Sequence, residues 1–177
     1  MRIISGTHKS RRIIAPNNLP TRPTTDYAKE ALFNLIGNEF DIEEAEVLDL
    51  FAGIGGITFE FASRGVKKIV CIDQHSGCIN FLKKTTMELK FSQVRVLRND
   101  VYRYLKKCDT QFKIIFADPP YDQKNINEIP EIVFEKDLLS ENGMLILEHD
   151  KNWDFSETPH FSFHKKYSNV NFSFFEK

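Results

Sequence analysis

The stretch EVLDLFAGIGG, residues 46–56, decides the predicted fold, because an apolar run passes directly into a cluster of glycines. Residues 46–51 form a short and mostly apolar run, as in a strand buried on both faces of a parallel sheet. Gly53 and Gly55 allow a tight turn and a close approach of the backbone to a ligand. The same glycines also fit an ordinary strand-to-helix turn, so other residues have to decide between the two interpretations.

Short apolar runs and amphipathic segments alternate along the rest of the chain. We predict strands at 46–51, 68–73, 94–100, 112–118 and 143–149, and helices at 58–65, 76–90, 101–107 and 128–136. A further helix is predicted after Pro23, with Thr24, Thr25 or Asp26 as its N-cap. The tail alternates like two antiparallel strands. This pattern indicates an α/β fold with a mostly parallel seven-stranded sheet and helices on both faces.

The length of 177 residues and the hydrophobic content of 41% fit one globular domain. We expect residues 1–23 to form a basic arm with a short β-hairpin, belonging to the same domain as residues 24–177. No apolar run approaches the roughly 20 residues that span a bilayer, and the first residues do not resemble a secretory signal. The three cysteines lack metal-type spacing and are interpreted as reduced and buried. These features predict a cytoplasmic protein.

Basic residues are concentrated in the first 25 residues, where there is no acid. They are Arg2, Lys9, Arg11, Arg12 and Arg22. The net charge of −1 argues against a protein that binds nucleic acid with its whole surface. The arm is either a solvated hairpin whose charges protect an edge strand, or a patch that binds phosphates.

An aspartate lies at or near the end of each of the first four predicted strands. These residues are Asp49, Asp73, Asp100 and Asp118. In such folds ligands bind beyond the carboxyl ends of the strands, so the aspartates predict a polar rim around one ligand. Asp73 follows Gly53 at the spacing typical of a carboxylate that binds ribose hydroxyls. Thr58 replaces the third glycine of a dinucleotide motif, which favours a nucleoside without phosphates. Asp100 either caps the next helix or accepts a hydrogen bond from adenine.

The sequence DPPY at residues 118–121 combines an acceptor carboxylate, two rigid prolines and an aromatic ring. Proline has a fixed φ, so Pro119 and Pro120 hold their carbonyl groups in set directions. The Asp118 carboxylate and one such carbonyl could accept both hydrogens of a planar amino group, while Tyr121 stacks on its ring. The alternative is a turn that leaves a strand with Tyr121 packed on the surface.

The segments LDLFAGIGG, CID, RND and FADPPY, in this order, resemble the Rossmann-like S-adenosylmethionine-dependent methyltransferases that modify amino nitrogens. The segments RIISGTHKSRRI, TRPTTDYAKEALFNLI and LDLFAGIGGITFEFASRG resemble, more specifically, the bacterial 16S rRNA guanine-N2-methyltransferase family (RsmD). The resemblance covers nearly the whole chain. It implies a Rossmann-like methyltransferase fold and methyl transfer from S-adenosylmethionine to the exocyclic N2 of a guanine in 16S rRNA or the small ribosomal subunit, without a metal.

The resemblance also implies roles for individual residues. The cofactor would be bound by Asp49, Phe51, Gly53, Gly55, Asp73, Gln74, Asp100, Val101 and Asp118. The guanine amino group would be held by the catalytic residues Asp118, Pro119, Pro120 and Tyr121. RNA would contact Arg2, Lys9, Arg11, Arg12, Arg22, Thr24 and Tyr121, with Arg22 and Thr24 over the mouth of the site. Lys29 stands where the family usually has arginine, a departure that bears on the expected RNA contacts.

Three other functions share parts of this pattern. A DNA adenine methyltransferase uses the same corner but usually carries an added recognition domain, for which 177 residues leave no room. A protein-glutamine methyltransferase also binds a planar amino group, although the basic arm favours a polyanionic substrate. A non-catalytic RNA-binding assembly factor would be expected to have lost the glycine turn or DPPY, and both are intact. We expect a monomer with no membrane partner.

Overall fold

The computed structural model describes residues 1–20 and 25–177, which form a seven-stranded sheet with helices on both faces. The strands are β1 Glu46–Leu50, β2 Lys68–Asp73, β3 Val94–Arg98, β4 Phe112–Ala117, β5 Leu139–His149, β6 Phe161–Tyr167 and β7 Val170–Glu176. The helices in these ranges are α1 Asp26–Glu39, α2 Gly56–Ser63, α3 Ser76–Glu88, α4 Val101–Lys107 and α5 Glu128–Glu135. None of them is long and apolar enough to cross a membrane.

The sheet has the strand order β3-β2-β1-β4-β5-β7-β6. Strands β1 to β5 pair in parallel, and β7 is antiparallel to both β5 and β6. The prediction of a mostly parallel sheet with an antiparallel pair at the C-terminus is therefore confirmed. The phenylalanines of the last strand explain why the tail is apolar, since Phe172, Phe174 and Phe175 are fully buried core residues. The three cysteines are buried and unbridged.

Helix α1 covers one face of the sheet. The Thr25 side chain caps it by accepting a hydrogen bond from the Ala28 N–H, which confirms one of the three predicted caps. Its apolar side buries Leu32, Phe33 and Ile36 against residues of β1, β4, β5 and β7. These contacts fix the helix over the central strands, with its N-terminus at the edge where the parallel strands end.

One predicted strand differs from the structure. Strand β5 begins at Leu139, earlier than the expected residue 143, because Leu139 pairs with Phe112 across an irregularity in the ladder.

The arm forms a short antiparallel hairpin around the bridge between Arg2 and Arg12, as predicted. The Ile3 N–H donates to the Arg11 carbonyl and the Ile13 N–H to the Met1 carbonyl, each at 3.0 Å. The hairpin is also held by the domain, since Ile3 and Ile13 are buried against α2 and α3.

A buried carboxylate on α2 binds the arm. Glu60 is 0% exposed and accepts hydrogen bonds from the backbone N–H groups of Ile4, at 2.8 Å, and Ser5, at 3.0 Å. It also forms ion pairs with Lys29 of α1 at 3.5 Å and with Arg64 at 2.9 Å. A buried charge is tolerated only when it is paired and hydrogen-bonded, and Glu60 meets both conditions through these partners.

Lys29, which stands where the family usually has arginine, is buried in the domain. Its side chain is 3% exposed and donates a hydrogen bond to the Arg2 carbonyl in addition to its pairing with Glu60. Burial lowers the pKa of Lys29, and the charge of Glu60 opposes that effect. Lys29 is therefore a structural residue that joins α1, α2 and the arm.

The end of α2 receives the turn of the arm. Gly6 has φ +82°, and a Cβ there would lie 1.8 Å from the Ser63 carbonyl oxygen. The Ser63 carbonyl accepts from the Thr7 N–H at 2.7 Å, and the Ser63 hydroxyl accepts from the His8 N–H at 2.9 Å. Only glycine allows this close approach. The contact fixes the turn of the arm at the C-terminal end of α2.

Candidate active site

The strand order reverses between β1 and β4, and this reversal positions the candidate site. From β1 the chain continues to β2 on one side, whereas β4 lies on the other side of β1. The connections therefore diverge and leave a crevice beyond the carboxyl ends of these two strands, where open α/β sheets bind ligands. The glycine turn after β1 and the DPPY corner after β4 flank this crevice.

The turn between β1 and α2 has a backbone that few residues can adopt. Gly53 has φ +54° and Gly55 φ +83°. A Cβ on Gly55 would lie 2.6 Å from side-chain atoms of both Leu82 and Phe59. Phe51 also has a positive φ of 59°, which is a strained conformation for an aromatic residue. The packed and strained turn keeps its backbone at the crevice, as expected for a segment that contacts a ligand.

Asp73 links this turn to the end of β2. Its carboxylate accepts hydrogen bonds from the Gly53 N–H at 2.8 Å and from the His75 N–H at 2.7 Å. Each carboxylate oxygen has a second lone pair and can accept a further hydrogen bond from a ribose hydroxyl. The structure thus brings Asp73 and Gly53 together at one edge of the crevice, and the ribose contact of Asp73 stays a prediction. The exposed Gln74 follows at the same end of the strand.

Asp100 caps helix α4. Its side chain accepts a hydrogen bond from the Arg103 N–H at 2.8 Å, which confirms the capping interpretation. Val101 is the first residue of that helix and is buried. The capping bond is made by Oδ1 of Asp100 and leaves its other carboxylate oxygen for a ligand. The adenine contact proposed for Asp100 and Val101 stays a prediction.

Asp49 lies within β1 rather than at its exposed end. It is 2% exposed and accepts a hydrogen bond from the Thr58 hydroxyl. The pKa of Asp49 is raised to about 7, chiefly by burial and with a contribution from the charges of Asp118 and Asp73, while the hydrogen bond from Thr58 opposes the increase. Thr58 is a residue whose role the sequence did not reveal. It stands in place of the third glycine because it holds Asp49 from the first turn of α2.

The DPPY corner begins where β4 ends. The Asp118 N–H donates to the Leu50 carbonyl at 3.4 Å, which continues the pairing of β4 with β1. Burial raises the pKa of Asp118 to about 7. Pro119 is buried, whereas Tyr121 is 48% exposed. The Pro120 carbonyl accepts from the Gln123 N–H at 2.9 Å, so Pro119 is the proline whose carbonyl can serve a substrate.

Glu148 is an acid at this corner to which sequence reasoning assigned no function. Ala117 pairs with Leu147, so Glu148 lies opposite Asp118 in the next position of the ladder. Glu148 is 4% exposed, and its Oε2 has no hydrogen-bond partner within residues 1–20 and 25–177. Burial raises the pKa of Glu148 to about 9, and the charge of Asp118 adds to the effect. The sequence feature that could have indicated a role for Glu148 is its position near the end of the apolar run of β5, which ends at the same edge of the sheet as β4.

Asp49, Asp118 and Glu148 share the face of the sheet that α1 covers. Asp49 pairs with Phe116, which in turn pairs with Ile146, and side chains two residues further along a strand point to the same face. The three carboxyl groups therefore lie on three adjacent strands. Burial raises the pKa values of all three above their ordinary range, and repulsion by neighbouring carboxylates adds to the effect for Asp49 and Glu148.

The basic residues of the arm lie at different distances from this edge. Arg2 is paired with Asp26, the first residue of α1, at 3.0 Å, and Arg12 is its bridge partner. Lys9 is close to the turn of the arm, which contacts the far end of α2. Lys9, Arg11 and Arg12 are exposed, and their RNA contacts stay predictions. Arg22 and Thr24 lie outside the described residues.

A second cleft lies at the opposite edge of the sheet. It has a volume of about 450 Å³ and is lined by residues around Phe40, Glu46 and Lys113. Glu46 and Lys113 are at the amino ends of β1 and β4, where α/β sheets of this kind do not bind their ligands. Over the part of the chain that the structure describes, no cluster of three histidine, cysteine or acidic residues could hold a metal ion.

Comparisons with known proteins agree with this geometry. The family model described as "Conserved hypothetical protein 95" matches residues 1–176. The chain is 38% identical over 162 residues to the putative rRNA methyltransferase YlbH of Bacillus subtilis, covering 89% of this chain and 87% of that protein. It is 34% identical to the ribosomal RNA small subunit methyltransferase D of Buchnera aphidicola, covering 90% of this chain and 81% of that protein.

Among solved structures, the chain is similar to the putative methyltransferase yhhF from Escherichia coli, with a TM-score of 0.88 and 27% identity. The match covers 100% of this chain and 97% of that one. The family model, these relatives and the shared fold agree over almost the same residues. The chain therefore belongs to the conserved hypothetical protein 95 family, the RsmD-like S-adenosylmethionine-dependent methyltransferases.

Proposed function

We propose that the protein transfers a methyl group from S-adenosylmethionine to the exocyclic N2 of a guanine in 16S rRNA. The observation that carries this proposal is the position of Asp118 at the corner after β4, beside the crevice that the glycine turn after β1 also borders. A methyl donor bound at the turn and an amino group held at the corner would meet there. The name of the relative YlbH supports ribosomal RNA as the substrate, and the name of methyltransferase D supports RNA of the small ribosomal subunit.

The residues around the crevice fit an adenosine-type methyl donor. Asp73 retains lone pairs for ribose hydroxyls while it holds the turn through Gly53. Gly53 and Gly55 allow the backbone to approach the methionine portion, and Asp100 would contact the adenine. When bound, S-adenosylmethionine supplies a methyl group that is already activated by its sulfonium.

The DPPY corner would bind and orient the amino group. The Asp118 carboxylate and the Pro119 carbonyl accept its two hydrogens, so that the nitrogen lone pair is directed towards the methyl donor. Both acceptors also stabilise the positive charge that develops on the nitrogen. Positioning of this kind can lower a barrier by roughly 7–11 kcal/mol, and the base has to leave its stack to enter the site. The exposed ring of Tyr121 is available to stack on that base.

A transfer assay tests this function directly. Purified protein is incubated with labelled S-adenosylmethionine and either small ribosomal subunits or 16S rRNA that lacks the modification, with DNA and a protein extract as alternative acceptors. We expect label in the rRNA, recovered as N2-methylguanosine after digestion. Label in DNA or protein alone would contradict the RNA substrate.

Two variants test whether methyl transfer depends on Asp118 of the DPPY corner. Asp118→Ala is expected to abolish transfer while S-adenosylmethionine still binds, because the alanine removes the acceptor for the amino group. Asp122→Ala is the matched control, since it removes an exposed acid from the same loop. Equal activity of Asp118→Ala and the control would exclude the proposed role of Asp118.

A further inference from the structure

Glu148 is a buried acid at the candidate active site that the proposed reaction does not yet use. It continues β5 to the position opposite Asp118, and it points to the same face of the sheet. Its side chain is 4% exposed, yet its Oε2 has no hydrogen-bond partner among the described residues. A buried polar atom without a partner destabilises the folded protein. A group of this kind next to a substrate site indicates that its partner belongs to the substrate.

The chemistry of guanine supplies such a partner. Its exocyclic N2 amino group is bonded to the carbon next to the ring N1, which carries a hydrogen. When Asp118 and Pro119 hold the amino group, the N1–H is the nearest donor on the ring. In adenine and cytosine the corresponding ring nitrogen is an acceptor and offers no hydrogen. An acceptor placed beside Asp118 would therefore distinguish guanine from these bases.

We propose that Glu148 is a specificity-determining residue whose side-chain oxygen accepts a hydrogen bond from the N1–H of the target guanine. This inference rests on the proposed function, because it requires a guanine amino group at Asp118. The neighbouring groups leave this role to Glu148. Asp49, the other buried acid on the same face, already accepts a hydrogen bond from Thr58, and Asp118 is committed to the amino group.

The electrostatics of the site agree with this role. Burial raises the pKa of Glu148, and the charge of Asp118 adds to the effect. A hydrogen bond from an N–H donor favours the ionised carboxylate, so the N1–H of guanine would compensate for the burial of this charge, whereas an acceptor nitrogen in its place would be repelled.

The inference is tested with two variants and two substrates. Glu148→Met removes the acceptor at similar size, and Glu148→Gln keeps an acceptor oxygen. The substrates are small subunits reconstituted with 16S rRNA that carries either the target guanine or 2-aminopurine, which keeps the amino group but has no N1–H. Calorimetric binding of S-adenosylmethionine and the melting temperature show whether each variant is folded.

With the guanine substrate, we expect kcat/KM to fall about 30-fold in Glu148→Met and less than about fivefold in Glu148→Gln, as for the loss of one hydrogen bond. With 2-aminopurine, wild type and Glu148→Met should differ by less than about threefold, because the substrate lacks the partner. Equal losses on both substrates, or equal losses in the two variants, would overturn the role of Glu148. A wild-type protein that methylates no guanine would instead overturn the proposed function, and this inference with it.

Discussion

The carboxylate of Asp73 accepts a hydrogen bond from the backbone N–H of Gly53, 20 residues earlier in the chain. This bond joins the turn after β1 to the end of β2. A second bond, from the His75 N–H, fixes the other carboxylate oxygen. The glycine turn and the predicted ribose-binding carboxylate therefore form one unit, and changing Asp73 should affect both.

Replacement of Asp73 is expected to weaken binding of S-adenosylmethionine. Asp73→Ala removes the acceptor for ribose and also releases the Gly53 N–H, so the dissociation constant should rise at least about 100-fold, as for two lost hydrogen bonds. Isothermal titration calorimetry measures the change. Asp109→Ala is the control, because this exposed acid precedes β4 at the opposite edge of the sheet. Similar affinities for the two variants would show that Asp73 does not contact the cofactor.

The activity should depend on pH through Asp118. Its pKa is raised to about 7, and the ionised form is the stronger acceptor and stabilises the positive charge that develops on the amino nitrogen. We therefore expect kcat/KM to rise about tenfold per pH unit below pH 7 and to level off above it. The initial rate of methyl transfer between pH 5.5 and 9 measures this profile.

Asp118→Asn separates this titration from that of Asp49, whose pKa is also raised to about 7. The asparagine keeps an acceptor oxygen but cannot ionise, so the variant should have lower and pH-independent activity. If the variant kept the wild-type profile, the titrating group would be Asp49 instead.

Adding a side chain at Gly6 should detach the arm from the end of α2. In Gly6→Ala the new methyl group would meet the Ser63 carbonyl, and the left-handed backbone at φ +82° adds strain. We expect the free energy of unfolding to fall by at least about 2 kcal/mol, measured by urea denaturation, and trypsin to cleave faster after Arg11 and Arg12. Gly37→Ala is the control, since nothing lies within 4 Å of its added Cβ. A stable, uncleaved Gly6→Ala protein would show that the arm is not held at Ser63.

Neutralising Arg11 and Arg12 together should weaken RNA binding in a salt-dependent way. If each contacts a phosphate, the slope of log affinity against log salt should become shallower by about 1.4–1.8. Filter binding between 50 and 300 mM salt measures it. The control is a double substitution of Lys106 and Lys107, which are exposed at the end of α4. Equal slopes for wild type and the arginine variant would leave the arm with a purely structural role.

Local patterns made much of the fold predictable. The apolar run 46–51 and its glycines predicted β1 and the following turn, because strand burial and positive φ leave signals within a few residues. The spacing of Gly53 and Asp73 likewise predicted that Asp73 lies at the same edge as the glycine turn, since consecutive parallel strands end at the same edge. The sequence also placed Asp118 at a strand end, where the structure has it.

Contacts that depend on the register of distant strands could not be predicted in the same way. Glu148 lies beside Asp118 only because β5 pairs with β4, and this pairing cannot be predicted from the local sequence of either strand. The structural role of Lys29 could not be predicted for the same reason, since its partner Glu60 lies on another helix and both look like ordinary surface charges in the sequence. The bond between Thr58 and Asp49 was missed because a threonine in an early helical turn has many ordinary explanations.

The buried position of Glu60 also limits how the sequence can diverge. Its carboxylate is shared by the backbone of the arm, by Lys29 and by Arg64, so loss of Glu60 would leave the buried charge of Lys29 uncompensated. Substitutions at these three charged positions should therefore occur together in natural relatives, with Lys29 exchanging for arginine but not for a neutral residue. The exposed Lys9 is under no such constraint and is free to vary independently of them.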